Sequence, residues 1–330
     1  MIEVACPAPT GIWGRIAGAD PEATFFQTPV WSRLVFSMGR GFREMSRLVR
    51  LRDGAQAVLP QMRQTRGMVF SHLESVPVGL YGAPVSERPL TQDELMGLAA
   101  FYRPRRSAGA IVVETPGARI DLGVRREAVT TRLLQWPAGT AAATITQGYR
   151  KGHRSAVRQA EREGVRVTRA ETVGEFLDYY GLYLATLQRW SRQPALAYPL
   201  NLFRSLGESA QGDSRIRLWL ARIDDRRLAG ALALHHGGNA SYWHGASTEE
   251  GRRRNAGNAA VNAAIMDAVD VGKTRFDFMP SAGLSDVEHF KSGFGAEEVE
   301  VGVHHFEGSP LHKLLAKIRE RMRRSPRPNL

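Results

Sequence analysis

Residues 216–247 read IRLWLARIDDRRLAGALALHHGGNASYWHGAS. Apolar side chains alternate at Ile216, Leu218 and Leu220, and Asp224-Asp225 makes a turn. Residues 228–235 form a second strand-like run, Gly237-Gly238-Asn239 a second turn, and residues 240–247 a third run. Turns this short leave no room for a crossover, so the stretch predicts an antiparallel meander. A helix is predicted over 258–269, where Val261, Ala264, Ile265 and Ala268 fall on one face. Residues 275–279 and 298–306 read as two further strands.

Upstream, residues 149–163 predict a basic helix ended by Gly164. A longer helix is predicted over 173–190, with Phe176, Tyr179, Tyr180, Tyr183, Leu184 and Leu187 at helical spacing. The first part of the chain gives the same order of signals. Residues 45–52 and 55–62 read as strands around Arg52-Asp53-Gly54, and Thr91-x-x-Glu94 is a capping box opening a helix to Tyr102. Pro104 stops that helix, and residues 110–114 read as a buried strand. Meander, helix, strand, short helix, strand is similar to the acetyltransferase (GNAT) order. The expected fold is α/β (α+β), as tandem GNAT-like domains with mixed, largely antiparallel sheets flanked by helices. The expected division is 1–130, 131–308 and a basic amphipathic tail over 309–330, where Leu311, Leu314, Leu315, Ile318 and Met322 share a face.

The chain has 330 residues, 43% hydrophobic and 24% charged, enough to bury a core in each of two domains. Cys6 is the only cysteine, which excludes an internal disulfide and a cysteine-rich zinc site and fits a reducing compartment. No stretch approaches the roughly 18 apolar residues of a membrane span, and no signal peptide is read at the N-terminus. The expected location is therefore cytoplasmic, with a possible peripheral position at the inner membrane. The net charge is +12, and seven Lys and Arg against one Glu in residues 310–330 supply half of it. This balance fits either a polyanionic partner or a basic, soluble surface.

Three segments carry candidate chemistry. Arg254-x-x-Gly257-Asn258-Ala259 opens a helix after a strand. Small residues there let backbone N–H groups approach a ligand, a helix N-terminus favours phosphate, and the arginine adds a charge-assisted bond. It fits the acetyltransferase pyrophosphate loop, Gln/Arg-x-x-Gly-x-Gly/Ala; the alternative is an ordinary basic loop. In the helix near residue 150, Arg150, Arg154, Arg158 and Arg162 recur every four residues. Like charges at that spacing destabilise a helix by about 0.2–0.5 kcal/mol per pair. Either Glu161 and Glu163 offset this, or a bound polyanion does. In Phe290-Lys291-Ser292-Gly293-Phe294-Gly295, a lysine among aromatics could hold an ammonium in a partly apolar site and stabilise an oxyanion; the alternative is a surface lysine. His289 and Asp277 lie near it and are candidates for proton transfer. His235-His236 and His304-His305 cannot chelate one metal, because neighbouring strand residues point to opposite faces. No metal site is expected.

Across nearly its whole length the chain resembles the Fem-type (FemABX) transferases. Phe26-Gln27-Thr28-Pro29-Val30-Trp31 resembles their Gln-Ser-x-x-Trp opening, and Val58-Leu59-Pro60 their Leu-Pro strand end. The segment from Val78 through Gly79-Leu80-Tyr81-Gly82-Ala83-Pro84 resembles Tyr-Gly-Gly-Pro, and residues 154–164 the basic Arg-x-x-x-Arg-x-Ala helix. Phe276-Asp277-Phe278 and Phe290-Lys291 to Gly295 resemble the late Phe-Asp-Phe-Gly and Phe-Lys-x-x-Phe-Gly motifs. The resemblance implies paired acetyltransferase-type domains and amide formation, in well-known members from charged transfer RNA to a peptidoglycan precursor. It gives Lys291 a place beside the reacting ester and matches Arg189 to an arginine that contacts substrate phosphate. Trp31 and Tyr81, with Trp243 in the third meander strand, are the expected substrate contacts. Two departures stand out: the long helical hairpin is missing, and Met279-Pro280 replaces the glycine after Phe-Asp-Phe. The expected reaction is acyl or aminoacyl transfer from acyl-CoA or aminoacyl-tRNA, with no permanently bound cofactor. The expected acceptor is an amine on a cell-envelope precursor, peptide or small molecule, held between the halves near Lys291. The rival reading is a non-catalytic GNAT-fold binder of RNA or anionic membrane.

Overall fold

The computed structural model describes residues 1–39, 41–66, 70–77, 79–103, 107–189, 197–281 and 283–308. The helix-stop at Pro104 and the amphipathic tail lie outside the described residues. The chain forms two compact units. The first comprises residues 1–20 and 26–129 together with the chain from 301; the second comprises 21–25 and 130–300.

The first unit begins with β1 (Ile2–Ala5), α1 (Thr10–Ala19) and α2 (Pro29–Ser37). Thr28 caps α2 by accepting the Trp31 N–H at 3.4 Å, and Pro29 supplies the first helical residue. Then follow β2 (Phe42–Glu44), β3 (Arg47–Arg50), β4 (Gln56–Leu59), β5 (Met62–Arg66), β6 (Phe70–Glu74) and β7 (Val85–Ser86). The predicted hairpin is β3 with β4, turning at Gly54 with φ +92. A four-stranded sheet has the order β1-β3-β4-β7. The capping box opens α3 (Gln92–Tyr102) with both reciprocal bonds formed, and β8 (Gly109–Val113) is the expected buried strand.

The second unit takes β9 (Arg125–Gln135) from residue 130 on, α4 (Ala142–Gln147), α5 (Lys151–Arg162), β10 (Arg166–Arg169), α6 (Val173–Arg189) and α7 (Leu200–Ala210). The meander follows as β11 (Ile216–Ile223), β12 (Arg226–His236) and β13 (Asn239–Ser247), all antiparallel. Then come α8 (Glu249–Arg253), α9 (Ala256–Asp270), β14 (Arg275–Asp277) and α10 (Ser285–Ser292). The sheet order is β10-β11-β12-β13-β14-β9, with β13 and β14 parallel. The last strand, β15 (Glu297–Glu307), returns to the first unit and pairs with β8, beside β6, β5 and β2.

Alternation along β12 builds two different faces in the second unit. Ala229, Ala231 and Ala233 meet Ala256, Ala260, Ala264 and Ala268 of α9 in one core, small against small, so helix and sheet approach closely. Gly230, between them, faces α6, where a Cβ would lie 2.7 Å from the Tyr179 ring. Two of the boundaries that differ from the sequence reading bear on the site. β14 ends at Asp277 rather than Met279, because Met279 adopts φ +59, which no strand continues through. α9 begins at Ala256, two residues early, after Asn255 turns the chain with φ +54.

Candidate active site

β14 runs beside β13 with Ser241 opposite Asp277 and then stops, whereas β13 continues to Ser247. Just past this point the Met279 peptide is gripped from both ends. Its N–H donates to Asp277 Oδ1 at 3.0 Å, and its carbonyl accepts from Lys291 Nζ at 2.6 Å. Thr131 Oγ1 also donates to Asp277 Oδ1, at 2.6 Å. Lys291 exposes only 5% of its surface, so it is no surface lysine. Burial pushes its pKa down to about 8, against the opposing pull of Asp277 and Glu288. The ammonium keeps two further N–H donors beyond the one given to Met279. His289 is exposed and stands outside this cluster. The structure therefore joins Lys291 with Asp277 and leaves His289 apart.

The end of α10 is fastened to the start of α5. Arg150 N–H donates to the Gly293 carbonyl at 2.9 Å, and His153 Nε2 lies 2.9 Å from the Phe290 carbonyl. The His153 ring sits edge-on to Phe294 at 4.8 Å, in a notch that only glycine leaves open: a Cβ on Gly293 would lie 2.0 Å from it. Along the rest of α5, Arg150, Lys151, Arg158 and Arg162 are exposed, and their side chains have no hydrogen-bond or ion-pair partner among the described residues. Arg154 donates to the Gln147 carbonyl at 3.1 Å. The nearby carboxylates do not offset this row. Glu163 lies 3.6 Å from Arg254 instead, and Glu161 makes no ion pair among the described residues.

Arg254 closes α8 and Asn255 opens α9. The first bond of α9 runs from Ala259 N–H to the Asn255 carbonyl at 3.1 Å, so the amides of Ala256, Gly257 and Asn258 have no partner within the helix. An added Cβ on Gly257 would meet nothing within 4 Å, so this glycine leaves open space above the helix end. The Arg254 guanidinium is already engaged, at 3.1 Å from Glu250 as well as with Glu163.

On the α6 side of the sheet lies a cluster of rings of which the sequence reading singled out only Trp243. The pairing of β12 with β13 slips between Leu232, opposite His244, and Ala233, opposite Tyr242. Trp243 is the extra residue of this bulge. Tyr242 lies at 6.1 Å from Phe278, on the α9 side. Trp243 and His244 instead meet Tyr198 and Phe203. His244 Nδ1 is 2.7 Å from the Tyr179 hydroxyl. Arg189 ends α6 and donates to the Ser247 carbonyl at 2.8 Å. Arg189, Trp243 and His244 thus gather around the far end of β13.

In the first unit, Trp31 and Tyr81 are joined through Phe26, at ring distances of 5.1 and 6.2 Å. Both rings are buried, at 2% and 0% exposure, and Trp31 lines a small cavity with Trp13 and Phe26. The segments that carry them pack as a unit: Gln27 donates from Nε2 to the Ala83 carbonyl at 2.9 Å, and Trp13 donates to the Gln27 carbonyl at 2.7 Å.

Residues 147–292 match the model of the acetyltransferase (GNAT) domain family, a span that runs from the last residue of α4 to the end of α10 and includes Lys291. The class is that of GNAT-fold proteins, and the chain has their fold in its Fem-like form. The crystal structure of FemX is similar over 97% of this chain and 100% of its own, with a TM-score of 0.69 at 14% identity. The L-PGS structure from Bacillus licheniformis matches 88% of this chain and 90% of its own, with a TM-score of 0.51 at 12% identity. The C-terminal domain described as a lysylphosphatidylglycerol synthetase from Agrobacterium fabrum matches 95% of each chain, with a TM-score of 0.55 at 12% identity. No curated protein matches the sequence.

Proposed function

We propose that the protein is an N-acyltransferase of the Fem-like type, moving an acyl or aminoacyl group onto an amine. The observation that carries this reading is Lys291, a buried cation held in place by the carbonyl of a left-handed residue. When an amine attacks an ester or thioester carbonyl, the C–N bond forms as negative charge gathers on the carbonyl oxygen. A fixed ammonium in a partly dry site stabilises that charge more than mobile water does. The tetrahedral intermediate then collapses, the C–O or C–S bond breaks, and the amine proton is passed on to the leaving group or solvent.

The donor is acyl-CoA or aminoacyl-tRNA. The open N-terminus of α9 at Gly257, Asn258 and Ala259 supports a phosphate-bearing donor of either kind. The exposed arginines of α5 support a polyanionic one. Arg254 would have to exchange its carboxylate partners for phosphate, a substitution that charge-assisted bonding permits. Arg189 and Trp243 are proposed substrate contacts, and the acceptor is an amine on an envelope precursor, a peptide or a small molecule. No helix among the described residues is long and apolar enough to cross a membrane. We place the protein in the cytoplasm, with peripheral membrane contact through the basic tail.

A thermal-shift series with coenzyme A, acetyl-CoA and charged tRNA tests the donor, since a ligand that binds only the folded state raises the melting temperature. With the donor so found, Lys291→Met should lower turnover about a hundredfold to a thousandfold. Normal turnover by that variant would remove the basis of the reading. If the donor is a CoA thioester, Arg254→Ala should raise its apparent KM.

A further inference from the structure

The Tyr179–His244 pair fixes a proton. Tyr179 is fully buried, and the only partner of its hydroxyl among the described residues is His244 Nδ1 at 2.7 Å. If Nδ1 carried the ring proton, the hydroxyl hydrogen would face packed rings with no acceptor, a loss of about 1–3 kcal/mol. The network therefore assigns the hydroxyl as donor to Nδ1 and puts the single proton of the neutral imidazole on Nε2. Burial pushes the His244 pKa down to about 3, so the ring does not gain a second proton near neutrality.

Nε2 has no hydrogen-bond partner among the described residues, yet it is not among the sealed polar atoms, and His244 itself is half-buried. Rings stand round it: Tyr183 at 4.8 Å, Trp243 at 5.4 Å, Phe203 at 5.5 Å and Tyr198 at 5.8 Å. The result is one N–H donor that no described residue engages, on a half-buried imidazole walled by rings. Such a donor cannot take a proton from an ammonium group. It suits an oxygen acceptor, and the walls disfavour one that needs water around it. The setting is also suggestive. β13 runs on past the end of β14, and alternation puts Ser241 and Asp277 opposite the α9 face, where His244 also lies because of the bulge.

We propose that His244 is a specificity-determining residue which, held by Tyr179 as the Nε2–H tautomer, donates to a carbonyl oxygen of the bound substrate. The inference rests on the transferase reading for the identity of that substrate and on geometry alone for the donor. Nitrogen-15 NMR of the imidazoles in the full-length protein tests the donor between pH 5 and 9. His244 should remain Nε2-protonated throughout, and Tyr179→Phe, which takes the donor from Nδ1 but keeps the burial, should leave the ring neutral with both tautomers populated. An Nδ1-protonated or titrating His244 in the unaltered protein overturns the proposal, whatever its activity. Coenzyme A, acetyl-CoA and charged tRNA are then added in turn. The Nε2 resonance should move with the ligand that also raises the melting temperature, and an unmoved resonance with all three overturns it. In the transfer assay, His244→Phe should raise KM about fivefold to tenfold, the loss of one neutral hydrogen bond, with kcat kept. His244→Gln, which still offers an N–H, should restore KM. An unchanged KM in folded His244→Phe overturns the substrate contact. Failure of the transferase reading would appear differently, as absence of transfer by the unaltered protein with its tautomer intact.

Discussion

Met279 stands where the Fem-type pattern has a glycine, and its backbone keeps a glycine's conformation at φ +59. For a residue with a Cβ this geometry costs about 1–2 kcal/mol, and the bonds from Met279 to Asp277 and Lys291 offset it. The motif lysine is thus visible in the sequence, but its second task is not, because the peptide it holds lies twelve positions away. Lys291→Met leaves the Met279 carbonyl without its donor, which costs about 1–3 kcal/mol. It also removes a buried ammonium whose pKa has fallen from the ordinary 10.5 to about 8. The unfolded chain therefore holds the proton between those two pH values while the folded chain has released it. Stability contributed by this group rises with pH through that window, since the unfolded state binds more protons. At pH 7 the two effects oppose each other, and the melting temperatures of Lys291→Met and the unaltered protein should differ by only a few degrees. From pH 8 to 10.5 the unaltered protein should gain on the variant, by on the order of 3 kcal/mol at most. Urea unfolding across that range is the check, and a constant difference would show that the lysine is not desolvated. If Lys291 acts as proposed, transfer by the unaltered protein should also decline above about pH 8, as the ammonium loses its proton.

The elements show where a sequence reading succeeds and where it stops. The meander, α6 and α9 were legible because their periods of two and 3.6 persist over many residues. The His244 site was not, because a single bulge residue reverses the alternation after Tyr242. Strict period two puts His244 on the same face as Tyr242, whereas the bulge carries it to the α6 side with Trp243. Nothing local in Ser241-Tyr242-Trp243-His244 announces that shift. The junction of α5 and α10 was likewise hidden, since it joins residues far apart in the chain. Gly293 leaves the space that His153 fills, and Arg150 and His153 engage the last carbonyls of α10. Gly293→Ala should therefore destabilise by about 1–3 kcal/mol through overpacking. In a His153→Ala background the same change should cost much less, because the ring it would strike is gone. Denaturant unfolding of the four proteins in this cycle gives the coupling directly. Equal costs in both backgrounds would mean that the helices are not locked through this notch.

At the scale of the whole molecule, charge is the property left to explain. The chain carries +12, half of it in residues 310–330, and Arg150, Arg158 and Arg162 stand exposed with no carboxylate partner among the described residues. A row of like charges works against its own helix by about 0.2–0.5 kcal/mol per pair. Local neutralisation finds no support among the described residues, where Glu163 turns to Arg254 and Glu161 makes no ion pair. A polyanion covering α5 is the explanation we propose, and its size can be read from salt. Each phosphate neutralised releases condensed counterions, so log K falls against log salt with a slope of about −0.7 to −0.9 per contact. If charged tRNA is the donor, replacing Arg150, Arg154 and Arg158 with Gln should weaken binding and flatten that slope by roughly two to three. The same triple variant should melt no lower than the unaltered protein, because it loses repulsion and only the Arg154 bond to Gln147. Removing residues 310–330 separates the two basic regions: a further flattening would show that the tail also meets the nucleic acid, and an unchanged slope that it does not. A CoA donor gives another pattern. Its few phosphates would seat at the start of α9, so the α5 variant would bind acetyl-CoA normally while Arg254→Ala would not. Undiminished binding of both ligands by the α5 variant would show that the exposed row serves neither donor, and the polyanion reading of that helix would fall.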